Sequence, residues 1–211
     1  GGSGTCSAAY QDAINGAVSR GTTVVVAAGN SSANTANFRP ANCANVISVG
    51  ATRVNGGITY YSNWGAPVDL SAPGGGGSVD GNPNGYVWQN WYSGLTTPTS
   101  GNYSYVGMIG TSMAAPHVAG VVALVQSALI EAERDPLTPA QMEDLLKQTA
   151  RPFPVSIPAG TPIGTGIVDA RAALEKALEV PCNPAVEVCG PVATPITSAC
   201  SYVICRQAAS T

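Results

Sequence analysis

Eleven residues near the middle of the chain, GTSMAAPHVAG from Gly110 to Gly120, contain the residue types of a nucleophilic site. Ser112 stands in the first turn of a long, mostly apolar helix that we expect over residues 111–132. A hydroxyl held there faces free N–H groups and the positive end of the helix dipole, which both stabilise a neighbouring oxyanion. A Gly-Thr-Ser tripeptide alone is most simply a helix cap. Ser112 is therefore a candidate nucleophile whose assignment depends on the longer segment.

A second polar side chain of catalytic use follows a predicted strand. Residues 22–28 (TTVVVAA) are β-branched or small and apolar, which is typical of a strand buried on both faces of a sheet. Gly29 and Asn30 come next, so the amide of Asn30 lies at the carboxyl-end edge of that sheet. An asparagine after a strand is by itself an ordinary turn residue. Its amide N–H groups are also suited to stabilise an oxyanion.

Together these segments resemble the subtilisin-like serine proteases, the subtilases. GTSMAAPHVAG is similar to the nucleophile segment of that family, and residues 24–31 (VVVAAGNS) to its oxyanion-hole strand. Further similar segments are YSNWG from Tyr61, VDLSAPG from Val68 and GTGIVDA from Gly164. The likeness covers roughly residues 1–178, apart from an insert at 75–106. It implies that Ser112 attacks the scissile carbonyl and that Asn30 donates to the oxyanion.

The resemblance also implies where a protein or peptide substrate binds. Gly1 and Gly2 are similar to the end of the family's edge strand, which pairs with the substrate backbone. Ala28 and Gly29, with the loop 33–38, are expected to wall the main specificity pocket. Neither segment contains an acidic residue, so we predict a preference for apolar or aromatic side chains rather than Lys or Arg.

The catalytic histidine and aspartate of such a protease are missing from this chain. They precede the serine in subtilases, and the single histidine here, His117, follows Ser112 by five residues. At about 100° per residue it lies about 140° from the serine around the helix. We expect it to be a packed, hydrogen-bonded structural residue.

Two interpretations of the missing histidine and aspartate remain. The chain is either the C-terminal part of an active secreted endopeptidase, whose N-terminal half is then its partner, or a non-catalytic subtilase-like module that binds peptides. The presence of both Ser112 and Asn30 favours the first interpretation. On either interpretation the isolated chain is expected to be inactive.

Asp69 is a candidate calcium ligand. In proteinase K-like members of the family the matching aspartate binds structural calcium together with two backbone carbonyls, which correspond here to Ala44 and Val46. Oxygen ligands suit Ca²⁺, but one carboxylate makes a modest site. An aspartate that simply caps a strand end is the alternative.

Charge and cysteine content limit the class of protein. The formal net charge is −3, and the nine Lys and Arg residues are scattered from Arg20 to Arg206, which argues against a nucleic-acid partner. The longest apolar stretch, residues 118–130, is interrupted and short for a bilayer, so no membrane partner is predicted.

Six cysteines favour disulfides in a secreted protein over a zinc knuckle in the tail. Of the 15 possible pairings, proximity favours Cys182–Cys189 and Cys200–Cys205, which leaves Cys6–Cys43. That last bond requires the loop 31–42 to fold back, because Cys6 precedes a helix and Cys43 a strand.

The elements that position these residues alternate between strands and helices. Strands are expected at 22–28, 45–51 and 68–72, and further helices at 8–20, 138–150 and 169–179. The alternation predicts an α/β fold, a subtilisin-like three-layer sandwich with a mostly parallel sheet. Residues 74–107 are predicted to form a surface hairpin or lid. We expect residues 1–179 to be the C-terminal portion of a catalytic domain and 180–211 a cysteine-containing tail.

Overall fold

The computed structural model describes residues 1–94 and 100–179. Its strands are β1 (Gly2–Ser3), β2 (Val25–Ala27), β3 (Phe38–Arg39), β4 (Ile47–Thr52), β5 (Leu70–Pro73), β6 (Val87–Tyr92) and β7 (Tyr103–Met108). Its helices are α1 (Ala8–Val18), α2 (Thr111–Glu131), α3 (Pro139–Thr149) and α4 (Ala170–Leu178). The predicted alternation of strands and helices is confirmed, with bounds that differ by a few residues.

A parallel sheet with the strand order β2-β4-β5 forms the middle layer. One side is covered by α2, whose buried residues recur at helical spacing: Ala114, Val118, Val121, Val125 and Leu129. Helices α3 and α4 complete that core with Met142, Leu146 and Ala173. On the other side Ile14 of α1 packs with Val24, Val26 and Val46. The layers are those of the predicted α/β sandwich.

The helices begin where their capping residues stand. The Ser7 side chain accepts from the Tyr10 N–H, and that of Asp169 from the Ala172 N–H. Thr138 and Gln141 form a capping box ahead of Pro139, in which each side chain bonds the other residue's backbone N–H. These caps satisfy donors that a helix end leaves free.

The strand predicted at 22–28 is shorter and more exposed than expected. It spans Val25–Ala27, and each of these residues is half-buried rather than buried on both faces. Strand β2 is an edge strand of the described sheet, with β4 as its neighbour. In contrast, all six residues of the central strand β4 are buried.

Helix α2 is long and apolar enough to cross a membrane by length and composition, with a mean hydropathy of 1.7 and 22% of its most apolar window buried. Length and composition are weak signs of membrane insertion, because the core helix of a soluble protein meets the same test. Its buried residues lie against the sheet, while Leu124 and Ile130 on the other side are 45% and 61% exposed. Two large apolar side chains of this helix are therefore exposed.

The predicted pairing of Cys6 with Cys43 is confirmed, with the two Cα atoms 5.1 Å apart. The loop between β2 and β4 folds back as that bond requires, and its short strand β3 pairs antiparallel with β1. The predicted surface hairpin is also present, formed by β6 and β7. The tail 180–211, with the Cys182–Cys189 and Cys200–Cys205 pairs predicted there, lies outside the described residues.

Candidate active site

Ser112 occupies the first turn of α2 and is exposed to solvent. The helix starts after Gly110, which has a φ of 151° and so takes a conformation that favours glycine. This turn brings the start of the helix to the carboxyl-end edge of the sheet, next to the segment that follows β2. The serine is therefore positioned by a helix whose next turns are fixed against the sheet through Ala114 and Val118.

Asn30 is held to the start of the same helix by Thr111. The Asn30 side-chain oxygen accepts from the backbone N–H of Thr111 at 2.9 Å and from its hydroxyl at 2.8 Å. The Thr111 hydroxyl in turn accepts from the Gly29 N–H at 3.2 Å, and Thr111 is fully buried. Two donors at the same oxygen fix the orientation of the amide, so its Nδ2 points away from Thr111.

The nitrogen atoms of the two predicted oxyanion donors lie close to Gly110. A Cβ built on Gly110 would lie 3.6 Å from Asn30 Nδ2 and 3.6 Å from the Ser112 backbone nitrogen. The Asn30 amide is oriented by its two bonds from Thr111, and the Ser112 N–H belongs to the first turn of α2. Preorganised donors of this kind stabilise the negative charge that develops on a carbonyl oxygen during acyl transfer.

Asn63 is a positioning residue that the sequence analysis missed. Its side-chain oxygen accepts from the backbone N–H groups of Ser31 and Ala33 at 2.8 and 3.2 Å, and its Nδ2 donates to the Ala28 carbonyl at 3.0 Å. These bonds fix the loop that carries Asn30. Asn63 lies in YSNWG, which the sequence analysis noted only as a segment similar to the subtilases. The side chain is completely buried, so its three hydrogen bonds to the backbone satisfy its polar atoms.

The residues predicted to bind substrate line one cavity of about 840 Å³. Its lining includes Gly1, Gly2, Ala28, Gly29 and both candidate catalytic residues. Of the loop 33–38, which we expected to wall the pocket, Phe38 contributes to this lining, together with the neighbouring Arg39. Gly29 has a φ of 114°, and a Cβ there would clash with the Asn63 amide, so a glycine fits this wall.

His117 is not packed, contrary to expectation. It is exposed on α2, and its Nδ1 lies 2.7 Å from the carbonyl oxygen of Met113. A carbonyl only accepts hydrogen bonds, so Nδ1 carries the proton. The imidazole ring thus contacts a carbonyl one turn earlier in its own helix. Because α2 is a regular helix over both residues, His117 and Ser112 lie on different sides of it, as the sequence spacing predicts.

Asp69 takes part in an ion pair rather than in an oxygen cage. One carboxylate oxygen accepts from the Ser48 N–H at 2.8 Å, and the other lies 3.2 Å from the Lys147 ammonium. The Ala44 carbonyl accepts from the Gln11 side chain at 3.0 Å. Among the described residues no three His, Cys, Asp or Glu side chains could hold a metal ion. The Asp69 carboxylate thus has Ser48 and Lys147 as its partners here, and the calcium set with Ala44 and Val46 stays a prediction.

Lys147 also bonds Glu143, at 3.1 Å. Partial burial lowers the pKa of Lys147, but its hydrogen bonds to Glu143 and Asp69 outweigh that effect and keep the pKa above its usual value. Burial raises the pKa of the Glu143 carboxyl, and the bond from Lys147 opposes that rise. The lysine thus supplies the positive charge beside Asp69.

The subtilase family model matches residues 1–177 of this chain. The chain belongs to the subtilase family. The match includes both candidate catalytic residues and the cavity lining, and it ends within one residue of the last described helix.

Relatives of this subtilase chain include named proteases. It is 52% identical to an "Extracellular protease" of Xanthomonas campestris pv. campestris over 178 residues, which are 84% of this chain and 28% of that protein. It is 39% identical to an "Extracellular basic protease" of Dichelobacter nodosus over 180 residues, 84% of this chain and 27% of that protein. A solved protease from Pseudoalteromonas arctica superposes with a TM-score of 0.74 at 48% identity, covering 83% of this chain and 49% of that one. The chain thus spans about half of that solved structure and less than a third of those two proteins.

Proposed function

We propose that this chain is the nucleophile-bearing part of a secreted serine endopeptidase that hydrolyses peptide bonds in proteins. The observation that carries the proposal is that Asn30 Nδ2 and the Ser112 backbone nitrogen lie near one another, each 3.6 Å from a Cβ built on Gly110, at the start of α2. Two donors aimed at one region are what a tetrahedral acyl intermediate requires. The names of the relatives, which are extracellular proteases, support both the reaction and secretion.

In the proposed mechanism the Ser112 hydroxyl oxygen attacks the carbonyl carbon of the scissile bond. The carbonyl oxygen gains negative charge and accepts hydrogen bonds from Asn30 and from the Ser112 N–H. A histidine takes the serine proton and later delivers it to the leaving amine, and an aspartate orients that histidine. We place both of these residues in a segment of the full-length enzyme that precedes Gly1.

The cavity supports a substrate preference. Strand β1 pairs with β3 on one side, and we propose that an extended substrate backbone pairs with its Gly1–Gly2 end. The described lining contains no acidic residue, and Arg39 adds a positive charge. Peptides with an apolar or aromatic residue before the scissile bond are therefore the proposed substrates. Faster cleavage after Arg than after Phe or Leu, in matched peptides, would contradict this preference.

Covalent labelling with a fluorophosphonate tests the reaction. The full-length protein is expected to take up the label at Ser112, located by mass spectrometry, and the Ser112→Ala variant to remain unlabelled. A folded wild-type protein that takes up no label and still binds peptides would support the non-catalytic module instead. In a separate casein-hydrolysis assay, residues 1–211 alone are expected to show no turnover, because a serine without a base is a weak nucleophile at neutral pH.

A further inference from the structure

The hairpin of β6 and β7 carries many aromatic rings and no charge. Between residues 81 and 130 the sequence contains no Asp, Glu, Lys or Arg. Trp88 and Trp91 are 40% and 42% exposed, and Tyr103 and Tyr105 are 64% and 65% exposed. Exposed aromatic rings grouped on one element are uncommon on a protein surface unless they bind something.

The strand register sorts these rings onto one face. Successive residues of a strand point to opposite faces, and Asn90 stands opposite Tyr105 while Tyr92 stands opposite Tyr103. One face therefore carries Trp88, Asn90, Tyr92, Tyr103 and Tyr105, which we call the aromatic face. Trp91, opposite Ser104, belongs to the other face.

The rings of the aromatic face contact one another in an ordered way. The Trp88 and Tyr105 rings lie nearly parallel, with an angle of 9° and centroids 6.1 Å apart, and the Tyr92 and Tyr103 centroids are 5.3 Å apart. Gly107 stands opposite Trp88, and a Cβ there would lie 3.3 Å from the indole ring. The absence of a side chain at Gly107 lets the indole lie across the neighbouring strand.

Contacts below the hairpin fix its direction. Asp80, whose side chain is 3% exposed, bonds Arg53 at 2.9 Å through the guanidinium Nε. The Trp88 indole N–H donates to the Pro83 carbonyl at 3.1 Å. Gly77 and Gly85 pair by a backbone hydrogen bond of 2.7 Å. The segment that leads into β6 is therefore fixed to the rest of the fold, and it positions the aromatic face.

The hairpin reaches the active site by a short connection. Strand β7 ends at Met108, four residues before Ser112, and the Gly110 N–H donates to the Gly74 carbonyl at 2.9 Å. No hairpin residue belongs to the described lining of the substrate cavity. With six residue pairs the hairpin extends for about 20 Å. The end of the hairpin at Met108 is thus close in sequence to the nucleophile, and the hairpin lies outside the cavity proposed for the acyl part of the substrate.

We propose that the aromatic face binds the part of a polypeptide substrate that follows the scissile bond, and that it selects uncharged segments containing aromatic residues or proline. This inference rests on the proposed protease function. The rings offer apolar and edge-to-face contacts to such residues. A charged segment would lose hydration on this face without gaining an ion pair. We favour a polypeptide because β7 leads directly to Ser112, so a chain entering the site can continue onto this face.

Matched peptide substrates and full-length enzyme variants test the proposal. All peptides share the residues before the scissile bond; they continue either for two residues or for eight uncharged residues rich in Tyr and Pro. Wild type is expected to cleave the long peptide with the higher kcat/KM. In Tyr103→Ala/Tyr105→Ala that advantage is expected to fall about tenfold, which corresponds to about 1.4 kcal/mol. Trp91→Ala, on the opposite face, is the matched control and is expected to keep the full advantage of the long peptide. Tyr105→Phe, which keeps the aromatic ring, is expected to keep it as well.

The outcomes are distinguishable. An advantage equal in wild type and in Tyr103→Ala/Tyr105→Ala, with unchanged cleavage of the short peptide, would overturn the proposal. The proposal would also be overturned if Tyr103→Ala/Tyr105→Ala kept the full advantage of the long peptide but no longer bound insoluble cellulose or chitin that wild type binds. That result would identify the aromatic face as a glycan-binding surface. If wild type cleaves neither peptide faster than Ser112→Ala, the proposed protease function itself fails. Thermal unfolding of each variant reports whether the fold is intact.

Discussion

The side-chain oxygen of Asn30 accepts two hydrogen bonds from Thr111, one from its backbone N–H at 2.9 Å and one from its hydroxyl at 2.8 Å. Because Thr111 is the first residue of α2, the segment after β2 and the start of the nucleophile helix are joined directly. The bonds engage the acceptor of the amide and leave its N–H groups for other partners. Thr111 thereby determines where Asn30 aims its donor.

Thr111→Val tests this positioning role, because valine has nearly the same shape and lacks the hydroxyl. We expect kcat of the full-length enzyme to fall about tenfold, the effect of one lost hydrogen bond of about 1.4 kcal/mol. KM is expected to change little, since Thr111 reaches the substrate only through Asn30. Thr111→Ser keeps the hydroxyl and is the control. Equal kcat values in wild type and the valine variant would refute the role.

Asn30→Leu removes the proposed oxyanion donor itself. We expect kcat to fall on the order of 10²–10³-fold, the magnitude known for the corresponding donor of a subtilisin, with a smaller change in KM. Asn30→Asp keeps an acceptor for Thr111 but adds a negative charge beside the oxyanion, so its loss is expected to be at least as large. Steady-state kinetics on one peptide distinguish these cases. Wild-type kcat in either variant would exclude Asn30 from catalysis.

The Cys6–Cys43 bond joins residues 37 apart in the sequence, so it restricts the unfolded chain strongly. Replacing both by serine is expected to lower the free energy of unfolding by about 3–4 kcal/mol. Thermal or denaturant unfolding of the full-length protein measures the loss. A reductant should destabilise wild type more than the variant, because the variant no longer has this disulfide to reduce. Peptide mapping that found Cys6 linked to a tail cysteine would contradict the pairing.

Calcium removal tests the arrangement at Asp69. Because its carboxylate pairs with Lys147, we expect a chelator to lower the melting temperature of wild type and of Asp69→Asn by the same amount. The substitution itself is expected to cost up to about 1 kcal/mol, since the lysine side chain is 34% exposed. A chelator effect present in wild type and absent in Asp69→Asn would restore Asp69 as a calcium ligand.

The Arg53–Asp80 pair makes stability depend on pH. The hydrogen bond from Arg53 holds the pKa of the Asp80 carboxyl below its usual 3.8. Ionised Asp80 therefore stabilises the fold fully above about pH 4 and loses this contribution as the pH falls through its lowered pKa. The melting temperature of Asp80→Asn should lie below that of wild type at pH 7 and approach it in acid. Arg53→Gln should reproduce the loss, with little added by the second substitution.

Features that depend on neighbours in the sequence were predictable here. The helix expected at 138–150 is present as α3, and it begins with a capping box of Thr138 and Gln141, residues only three apart in the sequence. The strand–helix alternation likewise gave the layers, and the resemblance of GTSMAAPHVAG to the subtilases gave the residues at the start of α2.

Features that depend on distant residues were not predictable. Lys147 and Asp69 are 78 residues apart, and no local pattern shows that α3 brings an ammonium to the start of β5. The role of Thr111 escaped notice because it bonds a residue 81 positions away. The aromatic face needed the register of β6 and β7, since a shift by one residue would place Tyr105 and Trp88 on opposite sides.

The short ladder between β1 and β3 has a consequence for the timing of maturation. It contains two residue pairs, Gly2 with Arg39 and Ser3 with Phe38, and the Cys6–Cys43 bond closes it from the side. While these thiols stay reduced, as they do inside most cells, this wall of the cavity is held by those two pairs and by hydrogen bonds of Gly4 with Asn37 and Asn42. With the secretion and protease function proposed above, oxidation after export then completes the wall. The proposed proteolytic site would thus be least complete while the proteins of the producing cell are within reach.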